Sequence, residues 1–232
     1  MARFTAAYSS FIVRLAEVEI LRHSAAQKER KDPISLRNEI NALSRGAIIL
    51  LSSHLEAYVK ELGELAIDSL TKNNILRSGL SDSFFYHISK DFIDEIKDTA
   101  EPEKISGKIF EFLASDHVLW SKSGPFPIQI PSERFNKGFS NPSYQKIKAY
   151  FNRFGYSSFQ HDLSAHLRGD YLSVVNMINH LVDIRNKIAH GDPTATKTPQ
   201  EVRDIVMFVR RFCQVTDSIF AAWWRSNFCS IR

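Results

Sequence analysis

The sequence predicts an all-α protein, a bundle of long antiparallel helices carrying shorter inserted ones. Apolar residues recur at steps of three and four through its long stretches, and no stretch alternates with period two. The nine Gly and eight Pro are few, and they fall mostly between the periodic segments. With 232 residues, 44% of them hydrophobic and 24% charged, the chain can bury a substantial core, and it reads as one helical domain over residues 1–232.

The first helix is expected from Phe4 to His23, with Phe4, Tyr8, Phe11, Leu15, Val18 and Leu21 on one side. The polar stretch Ser24–Asp32, with its run Lys28-Glu29-Arg30-Lys31, reads as a solvated connector. Asp32-Pro33 then reads as the start of a long second helix, about 36 to 71, since proline is tolerated in a first turn. Ile40, Leu43, Ala47, Leu51, Leu55, Tyr58 and Leu62 belong to its apolar stripe. Glu56 lies off that stripe, four residues before Lys60, at the spacing of an ordinary helical ion pair.

Residues 72–142 read as an insertion of short helices and an irregular loop. Ser81 caps a third helix bearing Phe85, Ile88, Phe92 and Ile96, and Pro102 opens a short fourth with Ile105, Ile109, Phe112 and Leu113. From Asp116 to Pro142 the prolines at 125, 127 and 131 forbid a regular helix, and a loop of that length tends to be functional or mobile. It interleaves Lys122, Arg134 and Lys137 with Trp120, Phe126, Phe135 and Phe139. Rings to stack bases and cations for phosphates are what a single-stranded RNA contact needs, although the same rings also serve to pin a loop to a core.

Asn141-Pro142 reads as an N-cap and first position of a helix that ends at Gly155, followed by a short helix or turn from Phe159 to His166. His161 and His166 are five residues apart with no cysteine or second acidic partner nearby, a poor metal pair. Near the C-terminus, Thr198-Pro199-Gln200-Glu201 is a capping box that opens a helix with the stripe Val202, Ile205, Val209, Phe212, Ile219 and Phe220.

Between these lies the stretch of greatest interest. A helix of about 170 to 190 carries Tyr171, Val174, Val175, Ile178, Leu181, Val182 and Ile188 on one face. Arg185 lands on that face, where an unpaired guanidinium is expensive. Beside it runs a seam of Asn176, Asn179, Asp183, Asn186 and His190, mostly uncharged amides where a solvated face would carry Lys and Glu, so the seam is expected to point inward. Gly191 ends the helix. Basic residues there also complement the helix dipole, and side chains five apart lie about 140° apart, so Arg185 and His190 converge only if the helix loosens or the arginine swings round.

Arg185-Asn186, three residues, and His190 resemble the R-N-x-x-x-H signature of the HEPN superfamily, helical proteins that include many metal-independent ribonucleases. The segments Ser44–Leu62 and Asn141-Pro142-Ser143 to Phe154-Gly155 resemble its RiboL-PSP branch, so the likeness covers most of the chain. It implies an endoribonuclease in which the 2′-hydroxyl of the RNA attacks phosphorus. Arg185, Asn186 and His190 would be catalytic, Glu56 and Asp183 would border the pocket, and neither metal nor cofactor would be needed. Histidine titrates near neutral pH and can move protons, while arginine presents a permanently charged fork to phosphate oxygens. Lys187 would join Lys122, Arg134 and Lys137 in contacting RNA. The resemblance further implies a homodimer whose two motifs face each other, and a toxin or defence effector with an antitoxin protein as partner. A non-catalytic RNA- or protein-binding module is the alternative, and a structural dimerisation domain a third.

The net charge of +4 and pI near 9.0 suit a phosphate-bearing partner without requiring one. There is no Gly-rich phosphate loop, Cys/His cluster, Gly-x-Ser-x-Gly or internal repeat. Cys213 and Cys229 read as lying on one helix, about 24 Å apart and beyond disulfide reach, which points to a reducing compartment. No secretory signal is visible, and no apolar run approaches the ~20 residues that span a bilayer, so the expectation is a cytoplasmic protein without a membrane partner.

Overall fold

A computed structural model describes residues 4–231, and among them every regular element is a helix. In chain order these are α1 (Ala6–Lys31), α2 (Arg37–Lys72), α3 (Asp82–Ile88), α4 (Lys90–Lys97) and α5 (Pro102–Asp116). They continue as α6 (Ser132–Asn136), α7 (Tyr144–Asn152), α8 (Phe159–Leu167), α9 (Tyr171–Ala189) and α10 (Pro199–Asn227). The fold is an all-α helical bundle, as the periodicity predicts.

Thr5 starts α1. Its hydroxyl accepts the Tyr8 N–H at 3.2 Å, while its own N–H and hydroxyl donate to the buried Asp217 carboxylate of α10 at 3.0 and 2.5 Å. The helix then continues to Lys31, so the stretch Ser24–Asp32 is not a connector. Ala25, Ala26, Gln27 and the charged run are good helix formers, nothing breaks the helix before Asp32, and Lys28, Arg30 and Lys31 complement its C-terminal dipole. Pro33 lies in the turn ahead of α2, which begins at Arg37 rather than at the proline.

Cross-links give the helix directions. Lys28 meets Glu39, Glu17 meets His54 and Arg14 meets Glu61, so α1 runs antiparallel to α2. Tyr58 donates to the Cys213 carbonyl at 2.9 Å, and the Trp224 indole N–H donates to Ser69 Oγ at 2.9 Å, so α10 runs parallel to α2. Helix α9 returns between them, antiparallel to both. This leaves α2 at the centre, in contact with α1, α9 and α10.

Aromatic rings fill the space between α7, α8 and α10. Phe154 packs on Phe135, Phe220 and Trp224 with centroids 4.4, 5.5 and 5.6 Å apart. Each such ring removes about 150–250 Å² from water, worth several kcal/mol at ~25 cal/mol/Å². Helix α7 approaches α2 at Gly63, where a Cβ would stand only 2.0 Å from Tyr150 Oη. That hydroxyl cannot easily retreat, because it donates to Asn136, whose amide in turn donates to Glu64.

The segment between α2 and α7 is more ordered than its prolines imply. The expected third helix breaks at Ser89, whose hydroxyl donates to Asp116 at 2.6 Å and accepts the Trp120 N–H at 2.9 Å. Buried Asp116 also receives Arg134, with both oxygens 2.9 Å from Nη1, and Arg134 lies over the Phe92 ring. Phe126, Phe135 and Phe139 are buried, and a 3₁₀ turn and α6 interrupt the stretch expected to be irregular. Its rings pin it to the core.

Two predictions follow. Gly63→Ala normally gains about 0.5–1 kcal/mol inside a helix. Here it must displace Tyr150, so thermal unfolding should show a lower Tm than wild type. Burial, with Arg153 and Lys90 nearby, pushes the His87 imidazole from 6.5 down to about 4. The unfolded chain therefore takes up a proton that the folded chain refuses between those values. Stability should be full above pH 6.5 and fall toward pH 4. His87→Phe should flatten that slope in urea titrations, and an unchanged slope would contradict the assignment.

Candidate active site at the end of helix α9

Helix α9 ends in a complete Schellman turn. The Asp192 N–H donates to the Lys187 carbonyl at 3.0 Å and the Gly191 N–H to the Ile188 carbonyl at 3.1 Å, with Gly191 at φ +78°. Arg45 of α2 then holds the following loop, donating to the carbonyls of Asp192 and, at 3.1 Å, Ala195. The Asp192 carboxylate accepts both the N–H and hydroxyl of Thr194, which keeps it below the usual carboxylate range. His190, the last residue before the turn, is therefore carried on a fixed backbone. Its ring is exposed and makes no hydrogen bond among the described residues.

One turn earlier, half-buried Arg185 finds acceptors instead of a carboxylate. Its Nη1 donates to Asn141 Oδ1 at 2.7 Å and to Asn186 Oδ1 at 3.2 Å. Asn141 does not cap α7, which starts at Tyr144 behind Ser143. It adopts φ +53°, a left-handed conformation that asparagine tolerates better than most residues, and so presents its amide to α9. Its backbone N–H donates to Glu56 Oε2 at 3.1 Å. Glu56 keeps its helical partner as well, with Lys60 Nζ 2.7 Å from Oε1. Glu56 is thus Lys60's ion-pair partner and is also linked to Arg185 through Asn141. The Tyr144 N–H donates to Asn179 Oδ1 at 3.0 Å, a second tie between this loop and α9.

Other expected residues lie apart. Helix α9 stays regular through Ala189, and no hydrogen bond joins Arg185 to His190 among the described residues. The amide seam does not face inward: Asn176, Asp183 and His190 are exposed, and Asn179 and Asn186 are half-buried. Its first members, Asn176 and Asn179, border an open groove between α9 and α10. Asp183 lines that groove, and Lys187 is exposed with no carboxylate within ion-pair distance among the described residues. In the segment before α7, Lys122 pairs with Asp82 and Lys137 with Asp91, while Arg134 is a strut for buried Asp116. Those three side chains have carboxylate partners within the chain and make no hydrogen bond to Arg185 among the described residues.

Sequence reasoning missed Asn141 and Arg45 as site residues. The Asn141 signal was an Asn-Pro pair read as a helix start. Arg45 had no distinguishing signal. The Arg185 Nη2 and Nε groups have no protein acceptor among the described residues, so the guanidinium keeps donors for an anion while Nη1 fixes its pose. Among the described residues no three His, Cys, Asp or Glu side chains cluster as metal ligands would, and no helix is long and apolar enough to cross a membrane.

A family model described as RiboL-PSP-HEPN matches residues 13–222. No curated protein and no solved structure matches the chain. The family match runs from α1 into α10 and includes Glu56, Asn141, Arg185 and His190, and the chain belongs to the RiboL-PSP-HEPN family.

Proposed function

We propose that this HEPN protein is a metal-independent endoribonuclease. The observation that carries the reading is the Glu56–Asn141–Arg185 relay, which aims a charged fork with unused donors from the helix turn just before an exposed histidine. A guanidinium held this way suits the phosphate of an RNA strand, where it offsets the charge that grows on the equatorial oxygens. The 2′-oxygen attacks phosphorus and the P–O5′ bond breaks. The 2′-hydroxyl proton leaves to a base, and a proton is delivered to O5′. His190 is the group placed for one of these transfers. Asn186 helps fix the guanidinium, and Lys187 contributes positive charge on the exposed side of the helix end. Lys122, Arg134 and Lys137 are left out of this surface because each already holds a carboxylate of its own chain.

One copy supplies one histidine for two proton transfers. We therefore include a two-fold dimer that brings two α9 ends together, each copy serving the other's substrate. An antitoxin-like protein partner would act by covering the same helix ends. A binding module without turnover is the competing reading, favoured by the lack of contact between Arg185 and His190.

Purified protein should cut single-stranded RNA in EDTA and leave 2′,3′-cyclic phosphate ends, but should not cut DNA of the same sequence. His190→Ala should slow cleavage by about 10²–10⁴, the worth of a positioned proton transfer. Arg185→Lys should be severely impaired because a point charge cannot reproduce the fork. Asn141→Ala, which frees the guanidinium, should lower kcat by up to about 10² without unfolding the protein. Activity surviving in His190→Ala, or lost in EDTA, would overturn the proposal. Light scattering at micromolar concentration should show a dimer, and a monomer with full activity would remove the shared-site part of it.

A further inference from the structure

The groove between α9 and α10 has about 610 Å³ of open volume and is bordered by Asn176, Asn179, His180 and Asp183, with Met177 and Phe208 as its apolar surface. We propose that it is a base-recognition subsite that takes one unpaired RNA base bearing an exocyclic amino group. The proposal rests on the ribonuclease reading above and adds what that reading lacks, a determinant of where the strand is cut.

Four observations support it. The groove's polar groups are unspent: the side chains of Asn176, His180 and Asp183 have no hydrogen-bond partner among the described residues. Asn179 is fixed in a known sense. A backbone N–H can only donate, so the atom that Tyr144 N–H meets at 3.0 Å is the Asn179 carbonyl oxygen, and its NH₂ donors remain for a ligand. Partial desolvation and nearby Lys197 hold His180 below the usual imidazole range, which favours the neutral ring with its one donor and one acceptor. The groove also lies on the helix that ends in the candidate site, with Asp183 about 10 Å of helix rise before His190.

The charge pattern decides what enters. Asp183 repels phosphate, so the backbone belongs at the edge, near exposed Lys187. A planar base can lie on Phe208 and Met177 while amides and the carboxylate meet its edge, the usual manner of reading unpaired RNA. The carboxylate then discriminates. Guanine offers it two adjacent donors, and cytosine and adenine offer amino groups. Uracil has only an N–H flanked by two carbonyl oxygens that repel it.

The test uses two sets of short RNAs that differ only in one central base. One set is cleavable, and the other is 2′-O-methylated so that it binds without reacting. Wild type should disfavour uracil by about tenfold in both cleavage and binding, the scale of one base-edge contact. Asp183→Asn should bring uracil level with the other bases while the protein stays folded by circular dichroism. Phe208→Leu, which keeps an apolar surface but removes the ring, should weaken binding of every 2′-O-methyl strand by about tenfold. Base-independent binding by wild type would overturn the inference whether or not RNA is cut. So would an uracil penalty that persists in Asp183→Asn, or a change of oligomeric state in that variant with cleavage pattern unaltered. If no RNA is cut but binding still depends on the base and on Asp183, the ribonuclease reading fails and the subsite stands.

Discussion

A guanidinium on the core-facing stripe of a helix is the constraint from which the site is built. Half-buried Arg185 shares its face of α9 with Val182 and Ile188, where a charge left without a partner is unfavourable. A carboxylate partner would have neutralised it and consumed its fork. The chain instead brings two amide oxygens to one nitrogen, and the charge stays available. To deliver the first of these, Asn141 takes a left-handed backbone, and Glu56 of the central helix accepts its N–H to hold it there. The loop before α7, the middle of α2 and the last turns of α9 are thereby fixed to one another.

The same economy appears at the helix end. A Schellman turn leaves His190 at the boundary between helix and solvent, and Arg45 ties the next residues down through the carbonyls of Asp192 and Ala195. Two arginines, Arg45 of α2 and Arg185 of α9, thus have opposite duties. Arg45 uses its donors on backbone carbonyls and is structural. Arg185 keeps two of its nitrogens unused and is the one suited to an anion.

Much of this was legible in the residues. Stripes of apolar side chains located the long helices, the Thr198 capping box located the start of α10, and the placement of Arg185 on a core face flagged the site. What escaped depended on contacts across the fold. Asn141 looked like a helix cap because Asn-Pro carries that meaning locally, and only packing against α9 gave it another role. The amide seam looked buried because it lacked charge, yet a groove wall can lack charge for reasons of recognition. Lys28–Lys31 looked like a linker because charge runs often are, whereas Ala25 and Ala26 carry α1 straight through them. The aromatics of the 116–142 stretch had two readings that no local rule separated, and burial of Phe126, Phe135 and Phe139 favours the core.

In the proposed reaction the unused donors of Arg185 and the ring of His190 serve one phosphate. An NMR titration of the protein with cytidine 3′-monophosphate, observing the Arg185 guanidinium and His190 imidazole resonances, tests it most directly. Both should move together along one binding curve, and Asn141→Ala should weaken that curve for both. A ligand that saturates the protein while either residue stays still would show that the two do not share a site.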